Sequence, residues 1–308
     1  MTATNAETAD AAAAAPVPRE RPRPKPIKKI TSTCVDVVRN THDTVTLFFD
    51  TSDQPDYIAG QFISIDPHQF PELSRQIAYF EHLKGKRETF RAYSMASAPS
   101  EKFVSIAVKA EGWEKGDKYP PLLSPFLASE AMKGRTVNFT GYTGPYTLAE
   151  DHDVFTKQVL HLVAGSGVVP NYALLKDELL HNKHPSVKHT MVYVNKTSTD
   201  IIFHKELDQL AADFSSRFEL FQLLTRESID GKPENFRTGR PSLEWIKSIV
   251  SSPETVLVYA CGAAITKHQR AEAKETGIEP TPRFMEGIEA IVHGLGVDKE
   301  RFWSEEYG

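Results

Sequence analysis

Cysteine is scarce in this chain: Cys34 and Cys261 are the two among 308 residues. They are far apart and fit no metal-ligand spacing, so the chain cannot hold an iron–sulfur cluster on four thiolates of its own. A disulfide framework is not expected either, which suits a reducing, cytoplasmic setting. No apolar run reaches the roughly 18–20 residues that cross a bilayer, so no membrane span is expected. The first fifteen residues do not read as a signal peptide: they carry Glu7 and Asp10, lack a basic start, and beyond Met1 are apolar only through alanine. An excess of positive charge is also missing. The net charge of −5 at pH 7 gives no electrostatic basis for binding nucleic acid.

What is present is ordinary globular composition, 40% hydrophobic and 25% charged, at a length that suits two domains. Residues 1–26, ending in AAAAAPVPRERPRPKP, alternate proline with charge after an alanine run and are expected to be a disordered lead-in. Residues 27–150 then hold six short β-rich segments: ITSTCVDVVR, DTVTLFFD, GQFISIDP, FRAYSM, KFVSIAVKA and RTVNFT. Turn signals separate them, which predicts a six-stranded antiparallel barrel. Within this half, residues 71–87 place Leu73, Ile77, Phe80 and Leu83 at helical spacing and predict a helical insertion. It reads either as a packed surface helix or as a lid or docking element. A polar stretch around residues 147–156 marks the boundary. Residues 151–308 alternate strand and helix, which predicts an α/β unit with a parallel sheet and helices on both faces. In that count TVLVYACG is the fourth strand.

Three local patterns carry chemistry. In VAGSGVVP, Gly165, Ser166 and Gly167 follow a buried strand and open a helix, with Pro170 in its first turn. A helix N-terminus offers free N–H groups and partial positive charge to a phosphate, although an empty tight turn would look the same. The spacing is not GxGxxG. Cys261-Gly262 ends a later strand on the side where open α/β sheets bind ligands, and Cys261 could equally be a small buried apolar residue. Arg91-Ala92-Tyr93-Ser94 sets a guanidinium and a phenol ring on one face of an extended segment. That pairing suits a phosphate joined to a flat ring, or else a surface arginine beside a core tyrosine.

Taken in order, these segments resemble the ferredoxin–NADP reductase superfamily. RAYSMASAP resembles its Arg-x-Tyr-Ser flavin motif, and SIAVKAEGW, SPFL and GYTGPY resemble its second flavin stretch and barrel end. VAGSGVVP, LLTRE and VYACG resemble its nucleotide segments, and RFWSEEY its carboxyl-terminal strand. The resemblance implies an FAD-binding barrel followed by an NAD(P)-binding α/β domain. It implies that Arg91 binds the flavin pyrophosphate, Tyr93 lies against the ring and Ser94 approaches the flavin N5. Ala92, Val108 and Lys109 belong to the flavin stretches, and Ser124 would meet the diphosphate. Gly165, Ser166, Gly167 and Pro170 would hold the nucleotide pyrophosphate. Cys261 would lie beside the nicotinamide with Gly262 among the cofactor-binding residues, Glu305 would be the near-terminal carboxylate by the flavin, and Tyr307 a terminal aromatic over it. The chain departs from the family where Gly112-Trp113 is followed by the inserted KGDKYPPLL, and where Gly141-Tyr142-Thr143-Gly144 stands in place of Gly-Pro-x-Gly.

The 2′-phosphate of NADPH needs a basic partner. Lys196 in VNKTSTD and Arg226 after Thr225 in LLTRE are the candidates, and VNKTSTDIIFHKELDQL resembles NADPH-linked reductases of aromatic-ring oxygenases. NADPH is therefore expected, with NADH possible. The implied reaction is hydride transfer from NADPH to FAD, then single electrons to a separate ferredoxin, flavodoxin or oxygenase component. Two other readings stay open. One is a reductase releasing free reduced flavin, and the other is a non-catalytic flavin- or nucleotide-binding sensor or regulatory subunit.

Overall fold

The structure, a computed structural model, describes residues 27–51, 56–113 and 119–307. The expected lead-in over 1–26 and part of the inserted KGDKYPPLL lie outside these residues. The first half forms one antiparallel sheet of β1 (Lys28–Arg39), β2 (Thr44–Asp50), β3 (Phe62–Ile65), β4 (Arg91–Ser94), β5 (Val104–Lys109) and β6 (Thr136–Thr143). Its order is β4-β3-β6-β1-β2-β5. Past the end of β4, Met95 pairs with Ile106 of β5, and Ala96 N donates to Ser105 O at 2.7 Å, so the outer strands meet and the sheet nearly closes. Closure removes the exposed strand edges that an open sheet would present. Inward-facing Leu47, Phe49, Ile63, Ile65, Ile106 and Phe139 fill the interior. The last strand continues to Thr143, three residues beyond RTVNFT.

The helical insertion is α1 (Ser74–Lys84), ended by Gly85 in the left-handed conformation. Leu73, Ile77 and Phe80 are buried against the barrel core. Leu83, expected on the same face, is 49% exposed instead. It sits in the last turn and lines a surface cavity. A second helix, α2 (Ser124–Leu127), is a single turn.

The second half is the expected parallel sheet: β7 (Gln158–Ala164), β8 (Lys188–Asn195), β9 (Phe218–Leu224), β10 (Phe236–Thr238), β11 (Val256–Ala263) and β12 (Phe302–Tyr307). The order β10-β9-β8-β7-β11-β12 means that the chain builds outward from β7, then returns to its other side. The short β10 makes TVLVYACG the fifth strand rather than the fourth. Helices α3 (Val168–Leu180) and α4 (His204–Asp213) bury Leu175, Leu179, Leu207 and Leu210 on one face. Helices α5 (Leu243–Ile249) and α7 (Phe284–Leu295) cover the other with Ile246, Met285, Ile288 and Val292. Between them in sequence, α6 (Lys267–Thr276) is capped by Thr266 and buries no side chain. The helix α7 is additional to the sequence expectation, although Met285, Ile288, Val292 and Leu295 follow helical spacing.

The stretch joining the two sheets is tied down. Asn171 Nδ2 donates to the buried Tyr146 hydroxyl at 2.9 Å, and Tyr259 OH donates to the Thr147 carbonyl at 2.7 Å. Among the described residues no helix is long and apolar enough to cross a membrane. If α1 docks through Ile77 and Phe80, Phe80→Ala should cost about 3 kcal/mol in urea unfolding. Leu83→Ala should change stability by no more than about 0.5 kcal/mol. Equal losses in the two variants would contradict the docking face described.

Candidate active site

The strand order reverses between β7 and β11, and open α/β sheets receive ligands in the cleft outside the carboxyl ends of the strands at such a switch point. Gly165–Gly167 form a tight turn after β7, and α3 follows at once. Gly165 adopts φ +52°, a left-handed conformation that glycine takes without strain, and a Cβ there would meet nothing within 4 Å. Gly167 has the opposite reason for lacking a side chain: its Cβ would stand 2.1 Å from the Cys261 carbonyl oxygen. The turn is therefore pressed onto β11 on one side and open on the other. Tyr193 OH donates to the Gly165 carbonyl at 3.0 Å and fixes it from below, a positioning residue that no sequence motif flags. Ser166 is half-buried at the mouth. Pro170 is fully covered, so its part is to start the helix.

Across the cleft the two halves are joined by side chains. Parallel pairing of β11 with β12 sets Cys261 opposite Glu305 and Ala263 opposite Tyr307. From there Ser94 Oγ, at the end of β4 in the barrel, donates to Glu305 Oε2 at 3.2 Å. Tyr307 OH donates to Ser94 Oγ at 2.6 Å. Burial raises the Glu305 carboxyl to about 7, the Ser94 hydrogen bond acting weakly the other way. Cys261 is buried, and burial with the adjacent Glu305 carboxylate holds its thiol well above the usual value. It is a neutral thiol, not a nucleophile. The structure thus brings together Ser94, Cys261, Gly262, Glu305 and Tyr307. Tyr307, expected over a ring, here spends its hydroxyl on Ser94.

Arg91 begins the same strand that Ser94 ends. Its guanidinium donates to the buried Glu88 carboxylate at 2.7 Å and to the Thr89 hydroxyl at 3.0 Å. Burial works against ionising Glu88, but Lys84 and Arg91 hold its carboxyl below the ordinary range. Arg91 lines a cavity of about 510 Å³ together with Lys84, Lys86, Arg87, Tyr119 and His268. The helical insertion is therefore one wall of a cationic cavity beside the RAYS segment. These bases were not singled out from sequence, although the charge run KGKRE after α1 is visible there. Tyr93 is half-buried, and desolvation pushes its phenol upward. Ala92 is exposed. A cavity lined by four cations next to a half-buried aromatic fits a flavin dinucleotide, whose diphosphate needs positive charge and whose ring needs an apolar plane.

The remaining expected residues lie at the edges. Val108 is buried in the barrel core and could offer a ligand only its main chain. Lys109 pairs with Asp43 at 3.1 Å. Ser124 starts α2, and its Oγ accepts from Glu111 N at 3.3 Å. Lys196, Thr225 and Arg226 are exposed at the ends of β8 and β9, where Arg226 N donates to the Lys196 carbonyl at 2.8 Å. The carboxylates in this corner are engaged: Glu227 accepts from Ser198 N at 2.6 Å and from Lys232 Nζ at 2.6 Å, and Asp200 accepts from Thr197 N at 2.9 Å. The Lys232 contact and the Ser198 N–H hold Glu227 down to about 2.

Because the Glu305 carboxyl lies at about 7 in the folded chain against an ordinary 4.5, its ionisation opposes folding. The penalty is absent below pH 4.5, grows between 4.5 and 7, and is complete above 7. Glu305→Gln should therefore be more stable than wild type by up to about 3 kcal/mol at alkaline pH and no more stable at acid pH. Urea unfolding on both sides of neutrality measures this; a difference independent of pH would refute the buried-carboxyl assignment.

Residues 162–270 match the oxidoreductase NAD-binding domain. The chain is 25% identical over 227 residues to NADH-cytochrome b5 reductase 2 of Coccidioides immitis, covering 71% of this chain and 62% of that protein. It is 27% identical over 231 residues to an NADPH oxidoreductase of Mycobacterium tuberculosis, covering 71% of this chain and 51% of that one. The chain thus spans about half to three-fifths of the length of these two relatives. Among solved structures, the FAD/NAD-binding domain of nitric oxide dioxygenase from Vibrio cholerae superposes with a TM-score of 0.67 at 23% identity, covering 91% of this chain and 98% of that one. The ferredoxin-NADP+ reductase of Plasmodium falciparum does so with a TM-score of 0.60 at 14% identity, covering 91% and 96%. Residues 162–270 thus form an oxidoreductase NAD-binding domain, and the chain shares its two-sheet fold with these solved structures.

Proposed function

We propose that this chain is a flavin-dependent NAD(P)H oxidoreductase, with FAD held by residues 27–150 and the nicotinamide nucleotide by residues 151–308. The observation that carries the reading is the contact of Ser94 with Glu305 and Tyr307 beside Cys261. It joins a barrel strand with an Arg-x-Tyr-Ser segment to the ligand end of a nucleotide-type sheet. When bound, the flavin would supply the conversion between two-electron and one-electron transfer.

The chain's own residues bind, orient and hold protons. Arg91, steered by Glu88, presents charge to a diphosphate together with Lys84 and Arg87. Tyr93 offers a half-buried ring face. The turn Gly165–Gly167 lets a second pyrophosphate approach the N-terminus of α3. Cys261 stays neutral and keeps a negative charge away from that cleft. Glu305, titrating near 7, can take or give a proton at neutral pH and pass it through Ser94.

Lys196 and Arg226 support NADPH as donor. Both are exposed at the strand ends, neither has an ion-pair partner among the described residues, and the acid that might have bound a ribose, Glu227, is occupied. The electrons pass to a separate acceptor protein, in our reading a ferredoxin, flavodoxin or oxygenase component. A b-type cytochrome joins these candidates because relatives bear that name.

The purified chain should be yellow, or become so with added FAD, and its flavin absorbance should bleach on titration with NADPH. A colourless protein that takes up no FAD ends the reading. Arg91→Ala should weaken FAD binding about tenfold or more, as expected for a lost charge-assisted contact. Arg226→Ala should raise KM for NADPH roughly 10- to 100-fold and leave KM for NADH within about twofold. Equal catalytic efficiency of the wild type with the two nucleotides would refute the preference for NADPH.

A further inference from the structure

A second cluster lies at the opposite end of the parallel sheet from the cleft. Glu178 stands in the last turn of α3, His184 in the loop after it, His189 near the start of β8, and His152 in the stretch that joins the two sheets. The Glu178 carboxylate is at their centre. His184 Nδ1 is 3.1 Å from both its oxygens, His152 Nε2 is 3.9 Å from Oε2, and His189 Nε2 is 4.0 Å from Oε2. Ligand atoms of His152, Glu178 and His184 all lie within 4.8 Å of one another. His152, Glu178 and His189 are buried, and the His184 side chain is 17% exposed.

The hydrogen bonds at the far side of each ring decide what faces the carboxylate. Asn171 uses its amide nitrogen on the Tyr146 hydroxyl and the Gly167 carbonyl, so its Oδ1 accepts from His161 Nδ1 at 2.8 Å. That leaves His161 Nε2 an acceptor in the neutral ring, and His189 Nδ1 must donate to it at 3.1 Å. His189 Nε2 therefore carries a bare lone pair. It is buried and has no hydrogen-bond partner. His152 Nδ1 donates to the Ala149 carbonyl at 2.7 Å, and His184 Nε2 to the Glu150 carbonyl at 2.7 Å. In the neutral rings, the inward nitrogens of both also carry lone pairs.

The buried lone pair of His189 Nε2 and the inward nitrogens of His152 and His184 thus converge on the Glu178 carboxylate, where a proton on His184 Nδ1 or a bound cation can lie between them. Acceptors facing one another in a buried space repel unless a cation lies among them. Each imidazole also donates its outer N–H to a carbonyl or to another ring, the arrangement that fixes tautomer and orientation in metal-ligating histidines. A tetrahedral zinc ion with bonds of about 2.0 Å needs ligand atoms roughly 3.3 Å apart; those of His152, Glu178 and His184 lie within 4.8 Å of one another and would close by up to about 1.5 Å, with His189 Nε2 4.0 Å from the carboxylate as the fourth ligand. Arg217 braces the loop for this by donating to the Lys183 carbonyl at 2.8 Å and the His184 carbonyl at 3.2 Å.

We propose that His152, Glu178, His184 and His189 form a binding site for one divalent transition-metal ion of the zinc class, separate from the redox cleft. Four protein ligands and little exposure make it a closed, structural site. Its role is to staple the stretch between the two sheets to the corner between α3 and β8. Nitrogen-rich donors with a single oxygen favour zinc and its neighbours over magnesium or calcium.

The test uses the full chain with its flavin, stripped by chelator, incubated with zinc sulfate and desalted. Metal analysis should give one zinc per chain, and X-ray absorption at the zinc edge should show nitrogen and oxygen ligands at about 2.0 Å with no sulfur. The Tm should rise by roughly 5 °C at saturating zinc. Glu178→Gln and His184→Gln should each abolish stoichiometric zinc and the Tm rise, whereas His293→Gln on the exposed face of α7 should alter neither. His184 is on a loop and partly exposed, so its variant remains informative if Glu178→Gln fails to fold. Substoichiometric zinc in the wild type would mean that the cluster holds only a proton on His184, and would overturn the proposal. Zinc retained in full by both variants would overturn it equally.

Discussion

Glu305 reaches Ser94 only because β12 adds to the parallel sheet beside β11 in one register, with Cys261 facing Glu305 across the ladder. Strand side chains alternate, so Glu305 and Tyr307 share the half-buried face while Ser304 and Glu306 are exposed. A slip of one residue would put Ser304 and Glu306 toward the barrel and leave Ser94 without its partners. The pairing therefore does more than extend a sheet. It sets which carboxyl is desolvated, and hence which group titrates near neutrality. It also makes one hydrogen-bonded cluster out of residues from two sheets.

The cleft combines that fixed cluster with local charge of the opposite sign to the chain as a whole. The net charge is −5, yet Lys84, Lys86, Arg87 and Arg91 gather at the cavity beside β4. Lys196 and Arg226 stand exposed beyond β8 and β9. Anionic ligands respond to the local field more than to a distant net charge, which solvent and salt screen over about 10 Å. The buried acid Glu88 is part of this design. Paired with Lys84 and Arg91, it orients the cations while taking little of their reach. At the outer corner Glu227 is held by Ser198 and Lys232 in the same way.

The far end of the sheet is organised by different physics. Tyr146 and Thr147 bind the joining stretch to α3 and β11 through buried hydrogen bonds, and His152 stands 3.9 Å from Glu178 at the α3–β8 corner. The chain Asn171–His161–His189 runs between this corner and the carbonyl of Gly167 at the cleft. A single residue, Asn171, thus contributes both to the start of α3 at the cleft and to the tautomers that shape the histidine cluster.

Strands and helices were largely legible in the sequence, because hydrophobic periodicity is local and each element's own residues decide it. The Arg91–Ser94 and Gly165–Gly167 segments were legible for the same reason, being contiguous. Leu83 misled because helical spacing does not say which turn of a helix faces a cavity instead of the core, and α7 escaped because glycines at 287 and 294 weaken its pattern. No spacing rule links Ser94 to Tyr307, which are 213 residues apart, or gathers His152, Glu178, His184 and His189. The sequence by itself determined the elements, their order and the chemistry-bearing segments. Which of those residues meet, what charge they bear and which face water were decided by strand register and the β7–β11 crossover, since these are set by packing between segments distant in the chain.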